Sequence, residues 1–145
     1  MSEYHVDPTR EQFDYFKSLD RDQPIFMLNQ VRLRNQACYP KEHRLVSANL
    51  TGADAYRLYG DESGPIFNRV GGEIVWRGHF EAVLTGPGDE RWDRVFIARY
   101  PTAHAFLEMV TDPDYRIAVV HRQAAVDTSR LIRLSDAEAG TGFAD

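Results

Sequence analysis

The sequence has 145 residues, a net charge of −5 and a hydrophobic share of 43%, which are the proportions of one globular domain with its own core. Its acidic balance argues against nucleic acid or an anionic membrane surface as a partner, and no apolar run is long enough to span a membrane. The single cysteine, Cys38, excludes an internal disulfide framework, and the lack of a secretory signal pattern predicts a cytoplasmic location.

The first predicted elements are a short helix and a buried strand. Residues 7–19 contain a capping-box pattern, Thr9 with Gln12, and apolar residues at helical spacing, so they predict a helix. Residues 25–34 alternate with a period of two and are apolar on both faces in their first half, which predicts a covered β-strand. Asn29 lies inside this apolar strand and therefore needs a hydrogen-bond partner.

The middle of the chain predicts a helical region followed by a long strand. Residues 51–70 have helical spacing, with a break expected at Gly64-Pro65. Residues 71–86, GGEIVWRGHFEAVLTG, then alternate with a period of two over on the order of 40 Å, at roughly 3.3 Å per residue. Gly78 in the middle predicts a bulge or bend in that strand.

The two faces of this long strand differ in character. Ile74 and Trp76 belong to the face that the alternation assigns to the core. Arg77, His79 and Glu81 project from the opposite face, which is too apolar at its flanks for open water and too charged for a simple core. Any function proposed for these residues depends on what covers this second face.

The remaining residues predict a strand, an interrupted helical region and a last strand. Residues 94–100 alternate as a strand, and Thr102 is the expected N-cap of a helix. Asp112-Pro113 interrupts that helix, which then restarts. Residues 129–134 form the last predicted strand.

This order of elements, β-α-β-β-α-β after a leading helix, is the split βαβ pattern of ferredoxin-like α+β domains. Both helical regions then cover one face of a four-stranded antiparallel sheet and leave the other face bare and apolar. Because monomers seldom expose such a patch, a second copy of the chain is the expected cover. We expect an N-terminal helical extension (1–24), a ferredoxin-like domain (25–134) and a loose C-terminal tail (135–145).

Several segments together resemble a known family. They are AYRLYG (55–60), GGEIVWRG (71–78), RYP (99–101) and DPDYRIAVVHRQAA (112–125). The combination is similar to the uncharacterised domain-of-unknown-function family 1330, in the dimeric α/β-barrel superfamily, over residues 25–134. The N-terminal helix and residues 35–50 depart from the family pattern. The resemblance implies a homodimer whose two sheets pack face to face, and it implies no agreed activity.

The superfamily that the chain resembles keeps its ligand cavity between the sheet and the helices of each subunit. Tyr115 and Arg122 share one face of the last helix, whereas His121 lies about 100° away from Arg122, so one of the two basic residues aims at the sheet and the other at a neighbouring loop or subunit. In such a cavity His121 or Arg122 would meet Asn29, Tyr56, Tyr59 and Trp76. That combination suits a small planar or carboxylated organic ligand.

The charged face of the long strand is a separate candidate site. In a closed dimer Glu81 would orient His79, and arginines would hold an anion between them. The arginines concerned are Arg77, Arg99 and Arg133. The alternative is an ion-pair network that fixes strand register, or a face open to solvent. For the cavity, the alternative is a filled aromatic core in which Arg122 caps carbonyls or pairs with a carboxylate.

Two functions therefore remain open. The first is a homodimeric small-molecule binder, or a cofactor-independent enzyme of the proton-transfer, isomerase or oxygenase kind, with His79 or His121 as acid or base. The second is a non-catalytic dimeric structural or interaction module. Neither a cofactor nor a metal is expected, because the histidines lack ligand spacing and the glycines lack a phosphate-loop pattern. A cavity of roughly 300 Å³ or more beside His121 would favour the first function, and a filled core the second.

Overall fold

The structure, a computed structural model, describes residues 4–144. Its helices and strands are α1 (Arg10–Ser18), β1 (Ile25–Leu33), α2 (Gly52–Arg69), β2 (Glu73–Gly78), β3 (Arg94–Tyr100), α3 (Ala103–Thr111), α4 (Pro113–Ala125) and β4 (Val126–Leu134). Residues 79–93 and 135–144 form neither helix nor strand. Within the described part of the chain, every helix is too short or too polar to cross a membrane.

The four strands form one antiparallel sheet in the order β2-β3-β1-β4. Helices α2 and α4 pack against each other and cover one face of it, where Ile25 and Met27 share an apolar cluster with Ile66 and Tyr115. The predicted ferredoxin-like α+β arrangement is therefore confirmed. In the first half of β1, Ile25 and Met27 therefore face the helices, whereas Phe26 and Leu28 belong to the opposite face of the sheet.

Local sequence sets the helix starts as predicted. The N–H of Gln12 donates to the Thr9 hydroxyl at 3.1 Å, and the N–H of Thr9 donates to the Gln12 amide oxygen at 3.2 Å, which is the reciprocal capping box of α1. Asp112 caps α4, whose first residue is Pro113. The interruption between α3 and α4 is therefore confirmed.

Helix α2 runs through Gly64-Pro65 without a break, so the break predicted there is wrong. Pro65 faces solvent, whereas its neighbours Ser63 and Ile66 are buried. A proline inside a helix removes one backbone hydrogen bond and adds a steric clash. Here the packing of the flanking turns against the domain outweighs that cost, which local sequence does not reveal.

Strand β2 is much shorter than the predicted 71–86 strand, because it ends at Gly78. The irregularity lies earlier than predicted: the ladder with β3 pairs Ile74 with Ala98 and then Trp76 with Ile97, so Val75 is an extra, bulged residue. The bulge reverses the faces of the residues that follow. No strand of residues 4–144 pairs with residues 79–85.

The sheet face opposite α2 and α4 is apolar and uncovered within the described part of the chain. Trp76, Ile132 and Leu134 are each between 42% and 53% exposed on it. Ladder pairing puts Leu28 and Ile97 between them. This is the bare face that the sequence predicted.

Residues 5–8, which we term the N-terminal strap, are fixed where α4 ends and β4 begins. The guanidinium of Arg122 donates to the carbonyl oxygen of Val6, and the Ser129 hydroxyl donates to the carbonyl oxygen of His5 at 2.8 Å. The strap therefore lies against the domain rather than apart from it.

Helix α1 lies outside the sheet, as predicted, and buries none of its own residues. The guanidinium of Arg133 donates to the carbonyl oxygens of Phe16 and Asp20 and stacks over the Phe16 ring. The Phe16 ring also lies 5.1 Å from that of Phe106 on α3. Helix α1 is therefore held mainly by the hydrogen bonds of Arg133 and by the aromatic pair of Phe16 and Phe106.

Candidate functional site

A cavity of about 1600 Å³ lies between the sheet and the helices. The strands form its floor, α2 and α4 its roof, and the N-terminal strap and α1 one of its sides. Typical ligand pockets span about 300–1000 Å³, so there is room for a small molecule. The predicted residues that line it are Asn29, Tyr56, Tyr59, Arg77, His79, Tyr115 and Arg122.

One row of cross-strand partners crosses the cavity floor. Strand register pairs Arg77 with Phe96, Phe96 with Asn29, and Asn29 with Leu131, and all four residues line the cavity. The amide nitrogen of Asn29 donates to the carbonyl oxygen of Met27 at 3.0 Å, which meets part of the need predicted for it. Its amide oxygen makes no hydrogen bond within residues 4–144 and is left for a ligand or water.

Two tyrosines tie the roof together. The hydroxyls of Tyr59 on α2 and Tyr115 on α4 lie 2.8 Å apart, with the rings in an edge-on arrangement. Burial raises the pKa of both phenols, so both stay neutral at physiological pH. They give the cavity an aromatic wall with a polar rim.

Tyr56 has a hydroxyl without a hydrogen-bond partner in the described part of the chain. Burial raises the pKa of this phenol, and the nearby guanidiniums of Arg122, Arg94 and Arg77 oppose that rise only in part. The hydroxyl is therefore a neutral donor at the cavity wall, close to three cations. Arg94 was not predicted as a site residue, although its alternation with Phe96 puts it on the same strand face.

Arg122 lines the cavity but is already engaged by the protein. Besides the Val6 carbonyl, its guanidinium donates to the Ser129 hydroxyl at 3.2 Å. The predicted alternative, that Arg122 caps carbonyls, is thus correct in part. Its charge faces the cavity, while its hydrogen bonds position the N-terminal strap.

Trp76 does not line the cavity, contrary to prediction. The bulge at Val75 turns its side chain to the open sheet face, beside Ile97, and turns Arg77 to the cavity side instead. The Trp76 ring lies over Gly78, where an added Cβ would come within 2.5 Å of it.

His121 is also outside the cavity, so the space opens beside Arg122 rather than beside His121. The His121 side chain is 1% exposed, and both ring nitrogens are occupied: Nε2 lies 2.9 Å from a Glu62 carboxylate oxygen and Nδ1 lies 2.7 Å from the Tyr39 hydroxyl. Because a carboxylate only accepts, Nε2 donates to Glu62, and Nδ1 is within hydrogen-bond distance of the Tyr39 hydroxyl. The predicted divergence of His121 and Arg122 towards a loop and the sheet is confirmed.

The charged group predicted on the long strand is not one site. Arg77 and Arg133 lie on the cavity side and Arg99 on the open face, as their ladder partners show. His79 and Glu81 follow the end of β2, and both are exposed. Of these two, His79 reaches the edge of the cavity.

Metal ligation has no visible site in residues 4–144. No three side chains among the histidines, cysteine, aspartates and glutamates there are grouped to hold an ion. The buried His121 instead lies within hydrogen-bond distance of Tyr39 and Glu62.

A family profile described as "Domain of unknown function (DUF1330)" matches residues 43–133, well over half of the chain. This protein is a DUF1330 family member. The family description carries no activity. No functionally curated protein matches the sequence.

Solved structures similar to this DUF1330 protein agree with the fold. The crystal structure of RPA0582, a protein of unknown function from Rhodopseudomonas palustris, is 55% identical and has a TM-score of 0.87, covering 94% of this chain and 100% of that one. SnoaB, a cofactor-independent oxygenase from Streptomyces nogalater, is 14% identical with a TM-score of 0.51, covering 81% and 96%. A putative antibiotic biosynthesis monooxygenase from Caulobacter crescentus is 10% identical with a TM-score of 0.51, covering 86% and 99%. The two distant likenesses are of fold alone.

Proposed function

We propose that this DUF1330 protein is a homodimer that binds a small aromatic or carboxylated compound between its sheet and helices. We further propose that it acts on that compound without a cofactor, by proton transfer, isomerisation or oxygenation. The observation that carries the proposal is an open cavity whose wall holds uncommitted polar groups, the Tyr56 hydroxyl and the Asn29 amide oxygen. An interaction module has no need of such a cavity.

The homodimer is supported by the uncovered sheet face. Trp76, Ile132 and Leu134 would each be desolvated by a second copy of the same face, which favours association. The exposed thiol of Cys38 fits a reducing compartment, so a cytoplasmic location remains part of the proposal.

His79 is the imidazole that best suits proton exchange with a bound compound, since it lies at the cavity edge. His121 has both nitrogens bonded within the protein, so in this proposal it is a positioning residue for α2 and α4. The reaction class is borrowed by analogy from SnoaB, whose fold houses cofactor-independent oxygenation.

A thermal-shift screen of aromatic acids and lactones tests the binding proposal. At least one class should raise the melting temperature of the natural protein, and Tyr56→Phe should reduce that rise because it removes the free hydroxyl from the wall. Tyr4→Phe is the matched control, since Tyr4 lies outside the cavity. A screen in which no class stabilises the natural protein would favour the interaction module.

Catalysis needs a separate test. Each stabilising compound is incubated with the protein and followed by proton NMR, and His79→Gln should slow any turnover while leaving affinity nearly unchanged. Equal turnover by this variant would remove His79 from the proposal. Binding without any turnover would leave a binding protein.

A further inference from the structure

The cavity wall is basic although the chain is acidic. Among the described residues, seven arginines and three aspartates line it, an excess of four positive charges in a chain of net charge −5. The arginines are Arg57, Arg77, Arg94, Arg116, Arg122, Arg130 and Arg133, and the aspartates are Asp7, Asp61 and Asp93. A concave wall of one sign concentrates ligands of the opposite sign.

Three of these arginines are already hydrogen-bonded within the protein. Arg122 bonds the strap, Arg133 bonds α1, and Arg130 donates to the hydroxyl of Thr128 and the carbonyl of Ser129. Their donors are therefore partly used, and they act on a ligand mainly through charge.

Four arginines of the lining remain: Arg57 and Arg116 on the helices, and Arg77 and Arg94 on the strands. The Arg77 guanidinium makes no hydrogen bond or ion pair with residues 4–144, and the Arg94 guanidinium makes one, to the carbonyl oxygen of Asp93. Both lie on the floor near the β2–β3 edge of the sheet: Arg77 pairs with Phe96, and Arg94 is two positions from Phe96 on the same strand face. Tyr56 adds its unpartnered hydroxyl from the roof.

We propose, on the basis of the ligand-binding function above, that Arg77, Arg94 and the Tyr56 hydroxyl form an anion subsite that selects aromatic carboxylates and fixes their orientation. The carboxylate meets the guanidiniums at the β2–β3 edge, since two such donors suit bidentate recognition. The ring lies over Phe96 and towards Asn29, beneath the tyrosines of the roof.

The floor also limits the size of the ligand. Two strand spacings of about 4.8 Å separate β2 from β1, so the row from Arg77 to Asn29 spans roughly 10 Å. This length suits one ring or two fused rings bearing an acid group. The next residue of the row, Leu131, offers only apolar contact, so a second charge at that end is disfavoured.

Isothermal titration calorimetry with 2-naphthoate and its neutral counterpart 2-naphthamide tests the subsite. The acid should bind at least tenfold more tightly than the amide, and its affinity should fall as salt is added. Arg77→Gln should weaken 2-naphthoate about tenfold or more and leave 2-naphthamide unchanged. Arg10→Gln, an exposed arginine outside the cavity, is the matched control and should change neither.

The outcomes separate this inference from the proposal beneath it. Equal binding of acid and amide, or an acid affinity that Arg77→Gln leaves intact, would overturn the anion subsite while the cavity remains a binding site. Loss of affinity for both probes in Arg77→Gln would also overturn it, because charge selectivity is the claim. Failure of the natural protein to bind either probe overturns the anion subsite. If, in addition, no compound of the thermal-shift screen stabilises the protein, the proposed ligand-binding function is overturned too.

Discussion

The hydroxyl of Tyr39 lies 2.7 Å from Nδ1 of His121, across a separation of 82 residues. This contact fastens residues 35–50 to α4. The same histidine bonds Glu62 on α2, so one buried ring joins three segments.

Tyr39→Phe should lower the free energy of unfolding by about 1–3 kcal/mol, because it leaves Nδ1 of a fully buried imidazole without a partner. Urea denaturation followed by circular dichroism measures the change. Tyr4→Phe, at an exposed tyrosine, should change the unfolding free energy by less than about 0.5 kcal/mol. Equal effects of the two variants would mean that the Tyr39 contact contributes nothing to stability.

His43 should make stability depend on pH. Its ring stacks on Tyr39 at 4.5 Å, and burial, the neighbouring His121 and the Arg44 guanidinium lower its pKa. The unfolded chain therefore takes up a proton first as pH falls below about 6.5, so stability present above that pH is lost as pH falls through the lower folded pKa. The stability advantage of the natural protein over His43→Gln should shrink between about pH 7.5 and about pH 5 in urea titrations. A constant difference over that range would contradict the prediction.

Ile132→Glu should convert the proposed homodimer into a monomer. Ile132 is 42% exposed on the uncovered sheet face, where a carboxylate would have to be desolvated by the partner copy. Sedimentation velocity should give twice the 16.6 kDa chain mass for the natural protein and a single chain for the variant. Ile117→Glu, at a site 65% exposed on α4, should remain dimeric. A natural protein that sediments as one chain would contradict the dimer.

The two glycines between α2 and β2 are needed for different reasons. Gly71 has a φ of +88°, which favours glycine, and a Cβ on Gly72 would come within 2.4 Å of the Phe67 ring. Gly72→Ala should cost about 1–3 kcal/mol of unfolding free energy, since Phe67 is packed against Tyr100. Gly60→Ala, in the interior of α2 with open space around it, should instead stabilise by about 0.5–1 kcal/mol. Urea denaturation of both variants checks the opposite signs.

The helix starts and the order of elements were predictable because their causes are local. The reciprocal bonds of Thr9 and Gln12, and the Asp112-Pro113 start of α4, involve residues within one turn. Periodicity also separated His121 from Arg122 by face. His121 and Arg122 are both basic and adjacent in sequence. Helix geometry alone predicts that their side chains point to different surroundings.

The site itself was only partly predictable, for two physical reasons. A period of two assigns faces only while the ladder is regular, and one extra residue at Val75 exchanged the places of Trp76 and Arg77. The partners of His121, by contrast, are far away in sequence and leave no pattern: Tyr39 comes from an irregular segment, and Glu62 is one of many charged helix residues. Contacts of that kind depend on the assembled fold.

The strap has a consequence for how relatives diverge. Residues 5–8 and α1 border the cavity, yet the shared family profile begins only at residue 43. Substitutions in this short segment can reshape one side of the cavity without altering the sheet. Two proteins with superimposable sheets can therefore differ in the shape of the cavity above them.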